Sequence, residues 1–111
     1  AEAEIPYDAL IEMDEINPEM PQTDVTLVLG ANDVVNPAAR SDKSSPIYGM
    51  PIIDADKSRM VLANKRSMNP GFAGIDNALY TAENTLMVFG DAKAVLGEIA
   101  NALRSEGKAA A

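Results

Sequence analysis

The chain has 111 residues, no cysteine, no histidine and a formal net charge of −8. That length holds one domain or part of one. The missing residue types exclude disulfides, thiolate nucleophiles, His-ligated zinc and Ser-His-Asp catalysis. The acidity argues against nucleic acid as a partner, whereas hydride chemistry carried by a cofactor needs none of the absent groups.

The charge is unevenly placed. Residues 1–24 carry eight acids (Glu2, Glu4, Asp8, Glu12, Asp14, Glu15, Glu19, Asp24) and no base, while the rest carries nine of each. This stretch reads as a solvated face, with a docking surface as the alternative. Within it, Ile5, Leu10, Ile11 and Met13 make residues 7–13 a weak strand candidate, with a helix start expected near Asp14. Residues 25–29 (VTLVL), 60–63 (MVLA) and 85–89 (TLMVF) are near-continuous apolar runs without Gly or Pro. Such runs suit strands covered on both faces of a parallel sheet. The clearest helix comes last. Asp91 is placed to cap it, and Ala92, Val95, Leu96, Ile99 and Leu103 recur at helical spacing. Residues 106–111 read as a frayed tail. No run approaches the roughly 18 apolar residues of a membrane span, and nothing resembles a signal peptide, so this piece reads as soluble and intracellular. Alternating strands and helices predict a single open α/β domain over residues 1–111.

Open α/β sheets bind ligands beyond the carboxyl ends of their strands, so the segment after each run is informative. After the first comes GANDVVNP, after the second NKRSMNPG, after the third GDAK. In the second, Lys65 supplies a point charge, Arg66 a planar fork and Ser67 a hydroxyl donor, a set matched to a phosphate monoester. The glycine-bearing residues 70–74 let backbone approach a ligand or cover it. The bland alternative is two cations solubilising a strand end. In GAND, Asn32 and Asp33 read either as caps for the next helix, with Pro37 tolerable in its first turn, or as contacts to a carboxamide or ribose. Asp54 and Asp56 read as a solvated loop rather than a metal pair, and no metal site is expected. There is no GxGxxG and no Walker A loop, hence no pyrophosphate turn.

The stretches PYDALIEMDEIN, LVLGANDVVNPAARSDKSSPIYGMPI, KRSMNPGFAGIDNALY and NTLMVFGDAK, in this order, resemble the NADP(H)-binding domain of proton-translocating nicotinamide nucleotide transhydrogenase. The resemblance implies a doubly wound, Rossmann-like parallel sheet of six strands, of which this chain is the C-terminal portion. It implies that Lys65, Arg66 and Ser67 hold the 2′-phosphate of NADP(H), and that residues 68–74 cover the nucleotide, with Met68, Asn69, Pro70, Gly71, Phe72 and Ala73 in contact with it. Ala31, Asn32, Asp33, Val34 and Val35 would line the nicotinamide and ribose. Asp33 would be the acid linking nucleotide state to proton movement, and Asp91 and Ala92 would meet the adenosine side. Phe72 stands where the family usually has tyrosine. The expected partners are the NAD(H)-binding domain or subunit and a membrane-spanning proton-translocating domain. The implied place is the cytoplasmic face of a bacterial inner membrane, or the matrix side of a mitochondrial one. Two strand–turn–helix units, together more than about 60 residues, are expected ahead of Ile5. A non-catalytic nucleotide-phosphate sensor or regulatory module, and a purely structural docking domain, are the alternatives.

Overall fold

The structure, a computed structural model, describes residues 3–66 and 76–110, with side chains described as far as Ser105. Its centre is a parallel sheet of β1 (Val25–Val28), β2 (Met60–Lys65) and β3 (Thr85–Phe89), in the order β1-β2-β3. The register pairs Val25 with Met60 and Val28 with Ala63, then Val61 with Thr85 and Lys65 with Phe89. The expected strands are therefore present and parallel. β2 runs two residues beyond the expected end, so Lys65 belongs to the ladder itself. Flanking the sheet are single helical turns α1 (Met13–Ile16) and α2 (Ala38–Ser41), several 3-10 turns, and the long α3 (Ala92–Ala110). This is part of an α/β, Rossmann-like domain.

Because side chains alternate across a strand, the sheet has two unlike faces. Val28, Val61, Ala63 and the partly buried Met87 lie on one face and pack with Met20, Val35, Ala55, Leu79 and Tyr80 as the core. Leu79 and Val61 are fully buried, and burying side chains of this kind contributes about 1.5–3 kcal/mol each. On the other face Val25, Leu27, Met60 and Leu86 remain 38–55% exposed. The apolar stripe of α3 behaves similarly: Val95 is buried, whereas Leu96 and Leu103 are exposed.

Three expectations are corrected. Residues 7–13 form no strand. A 3-10 turn at Tyr7–Ala9 leads through exposed residues into α1. Pro6 fixes the entry to that turn, and among the described residues no strand lies alongside to complete a ladder. Neither Asn32 nor Asp33 caps a helix with its side chain. Just ahead of α2, whose cap position Pro37 makes no side-chain cap bond, Asn36 Oδ1 accepts the Ala38 N–H at 3.0 Å. Asp54 and Asp56 are not a solvated loop either. Both grip the Arg40 guanidinium, at 2.5 Å each, with side chains only 17% and 24% exposed. Burial pulls that guanidinium's pKa down, but hydrogen bonds and charges from Asp56 and Asp54 outweigh it and leave it above its ordinary value. Asn17 holds the same loop from the other side, donating to the Ile52 carbonyl and accepting the Asp54 N–H, both at 2.9 Å.

Candidate functional site

All three strands run the same way, so the tracts that follow them share one edge of the sheet. The chain turns out of β1 at Gly30, whose φ of +62° suits glycine. It leaves β3 at Gly90, with φ +139°. There an added Cβ would stand 3.4 Å from Val95 Cγ2. The ends of β2 and β3 are stitched together by Asn64, which is 7% exposed. Its Nδ2 donates to the carbonyls of Val88 at 3.0 Å and Gly90 at 3.2 Å. The Gly90 N–H donates to the Lys65 carbonyl at 3.0 Å. These bonds fix the start of α3 beside the end of β2.

Asp91 caps α3 as expected: its Oδ2 accepts the Ala94 N–H at 3.2 Å. Its Oδ1 also lies 3.5 Å from the Arg66 guanidinium, in a pair whose side chains are 55% and 83% exposed. A pair this exposed contributes at most about 1 kcal/mol. Arg66 is thus lightly held and able to exchange partners. The first N–H groups of α3 and its macrodipole place further positive potential at the same edge. Arg66 and the α3 N-terminus therefore meet at one corner that the Asp91 carboxylate shares, while Lys65, one residue earlier on β2, reaches the Tyr80 ring.

Lys65 ends β2 with its ammonium 4.6 Å from the centre of the Tyr80 ring, within range of cation–π attraction. The Tyr80 hydroxyl lies within donating distance of the Ala31 carbonyl (3.1 Å) and Asn32 Oδ1 (3.0 Å). Asn77 Nδ2 donates to the Asn32 carbonyl at 3.0 Å and reaches Asn32 Oδ1 at 3.2 Å, while its own Oδ1 accepts the Leu79 N–H. Burial pushes the Tyr80 hydroxyl above its ordinary pKa of 10; the Asn77 amide opposes this and the Asp33 charge adds to it.

Among the described residues, two buried atoms of the GAND tract find no hydrogen-bond partner: the donor Asn32 Nδ2 and the acceptor Asp33 Oδ1. Val34 and Ala31 pack against the core and Val35 lies in it, so these three shape the tract rather than offer polar groups. The structure brings Ala31–Val35, Lys65, Arg66, Asp91 and Ala92 to one edge. Ser67, Met68, Asn69, Pro70, Gly71, Phe72 and Ala73 lie outside the described residues. Sequence reasoning missed Asn64, Asn77 and Tyr80 as organisers of this edge. A polar Asn inside the apolar run MVLANK was the available signal for Asn64. For Asn77 and Tyr80 there was none, since their partners are 45 to 49 residues away.

The chain is similar over most of its length to a known group of proteins. The family described as NAD(P) transhydrogenase beta subunit matches residues 1–102. Two relatives from Rhodospirillum rubrum, each named NAD(P) transhydrogenase subunit beta, are 53% identical over 103 residues. That match covers 93% of this chain but 22% of each relative, so the chain spans about a fifth of their length. With a match over nearly the whole chain, this chain belongs to the NAD(P) transhydrogenase beta subunit family.

Proposed function

We propose that this chain is the C-terminal part of the NADP(H)-binding domain of a transhydrogenase that moves hydride between NAD(H) and NADP(H), coupled to proton translocation. The observation that carries the reading is the edge shared by Lys65, the lightly held Arg66 and the N-terminus of α3. It brings two cations and the positive end of a helix dipole to where a 2′-phosphate would be held, a group that NADP(H) has and NAD(H) lacks. Ser67 and the rest of residues 68–73 are assigned to the same ligand.

The GAND tract suits the other end of such a ligand. An unpaired donor on Asn32 and an unpaired acceptor on Asp33 are the complement of a carboxamide, and each buried group left unsatisfied costs about 1–3 kcal/mol. A ligand that reached them would recover part of that cost. Ala31, Val34 and Val35 would form the apolar wall behind the ring and ribose. Asp91 and Ala92 would meet the adenosine side. The bound nicotinamide supplies hydride acceptance and donation, and the chain supplies position and charge. Asp33, the acid nearest that ring in this reading, would link nucleotide state to the proton.

The exposed sheet face of Val25, Leu27, Met60 and Leu86 fits a domain whose remaining units come from elsewhere in the subunit. In the described residues no helix is long and apolar enough to cross a membrane, so the proton path is assigned to a separate membrane-spanning domain. The hydride partner is assigned to an NAD(H)-binding domain or subunit. The proposed place is the cytoplasmic side of a bacterial inner membrane, or the matrix side in mitochondria. Titrating NADPH and NADH against the complete beta subunit tests the reading. A marked preference for NADPH is expected. Equal affinity would favour a general nucleotide-binding module, and no binding a structural one.

A further inference from the structure

Residues 76–81 are fastened to the tract 31–36 by three buried side chains. Asn36, fully buried, donates through Nδ2 to the Asp76 carbonyl at 3.1 Å. Asn77, 9% exposed, donates to the Asn32 carbonyl. Tyr80, 6% exposed, brings its hydroxyl to Ala31 and Asn32. With its backbone held by Asn77 and its ring in the core, Tyr80 has little freedom to turn. Its face is nevertheless presented to Lys65, on a different tract of the site.

We propose that Tyr80 is a positioning residue for both halves of the site, its ring face holding the Lys65 ammonium and its hydroxyl holding the Ala31–Asn32 backbone turn. The inference rests on the NADP(H) reading above and deepens it. The ring aligns the phosphate-binding cation, and the hydroxyl sets where the Asn32 amide and the neighbouring Asp33 stand. One rigid side chain thus relates the spacing of the two ends of the nucleotide site. A ring–cation contact survives in phenylalanine, whereas the hydroxyl contact does not, so the two roles separate by substitution.

The test uses the complete transhydrogenase carrying Tyr80→Phe or Tyr80→Leu, with NADPH and NADH as probes. Tyr80→Phe should leave the NADPH Kd within about twofold, because the ring remains, while kcat falls about 3- to 10-fold, as expected for losing one hydroxyl hydrogen bond at the Asn32 turn. Tyr80→Leu should show the same kcat loss and weaken NADPH by a further 2- to 5-fold from the lost ring–cation contact, with NADH unaffected. Equal losses for both nucleotides, or a Tyr80→Phe enzyme identical to wild type, would make Tyr80 a packing residue and overturn the proposal. A wild type that binds NADPH and NADH alike would instead reject the nucleotide reading. A stability measurement then still decides the positioning claim. Lys65→Met should lower the melting temperature equally in the wild type and Tyr80→Phe, and less in Tyr80→Leu. An equal drop in all three would refute it.

Discussion

Replacing Arg66 with alanine tests whether its guanidinium holds a 2′-phosphate, as proposed. In the structure its side chain is 83% exposed and its Asp91 contact is a single 3.5 Å approach. An exposed pair of that kind contributes about 0.2–1 kcal/mol, which must be given up when Arg66 turns to a phosphate. Hydrogen bonds to charged groups contribute about 1.5–3 kcal/mol net. The difference, about 0.5–2.8 kcal/mol, is what Arg66→Ala removes, so NADPH binding should weaken about 2- to 100-fold. NADH has no group for the fork and should change little. Calorimetric titration of both nucleotides against wild-type and Arg66→Ala beta subunit reads the effect directly. Repeating it at high salt should narrow the gap, since an exposed contact is screened. If both nucleotides weaken by the same factor, Arg66 supports the fold or a group common to both, and the phosphate assignment fails.

Asp33→Asn keeps the side chain's shape but removes its charge, so proton-coupled hydride transfer should fall more than NADPH affinity; an equal loss in both would mark Asp33 as a plain ligand contact. Arg40→Met removes the counter-ion that the little-exposed Asp54 and Asp56 share, leaving Asp54 with Lys57 at 3.9 Å. It should destabilise the domain by about 1–3 kcal/mol, between the limits for exposed and buried pairs, and thermal denaturation that shows no change would mean the clamp is ornamental. The raised Tyr80 pKa, caused first by burial, predicts an alkaline loss: the neutral hydroxyl is favoured in the folded state, so its contribution holds below the unfolded value near 10 and declines as pH rises from there through the folded value. Tyr80→Phe should flatten that decline, and an unchanged profile would show that the hydroxyl is not its source.

The parts legible from the sequence were those governed by near neighbours. Continuous apolar runs located β1, β2 and β3, and an Asp before a helical stripe located the start of α3. What escaped depended on distant partners. The DAD loop looked solvated because its counter-ion, Arg40, comes from 14 and 16 residues earlier in the chain. Asn32 looked like a cap because local hydrogen bonds were the only ones its neighbours could reveal. Its actual partners, Asn77 and Tyr80, arrive after β2 has been laid down. Tyr7 and its neighbours suggested a strand by residue type, but a strand forms only against another, and none stands there among the described residues. Residue chemistry, with a place beside a glycine-bearing loop at a strand end, nominated Lys65 and Arg66. Their arrangement around Tyr80 and Asp91 required the fold.

The open sheet face has a consequence for how two such chains would meet. β1 and β3 are both outer strands among the described residues, and beside them Val25, Leu27, Met60 and Leu86 face outward. Outer strands flanked by apolar surface are templates for pairing with a second copy. The stretch just ahead of β1 carries eight acids and no base, which is the whole of the chain's excess charge. Two copies approaching edge to edge through β1 would bring those acidic flanks together. Their repulsion would oppose self-association through that edge, and would weaken as salt rises.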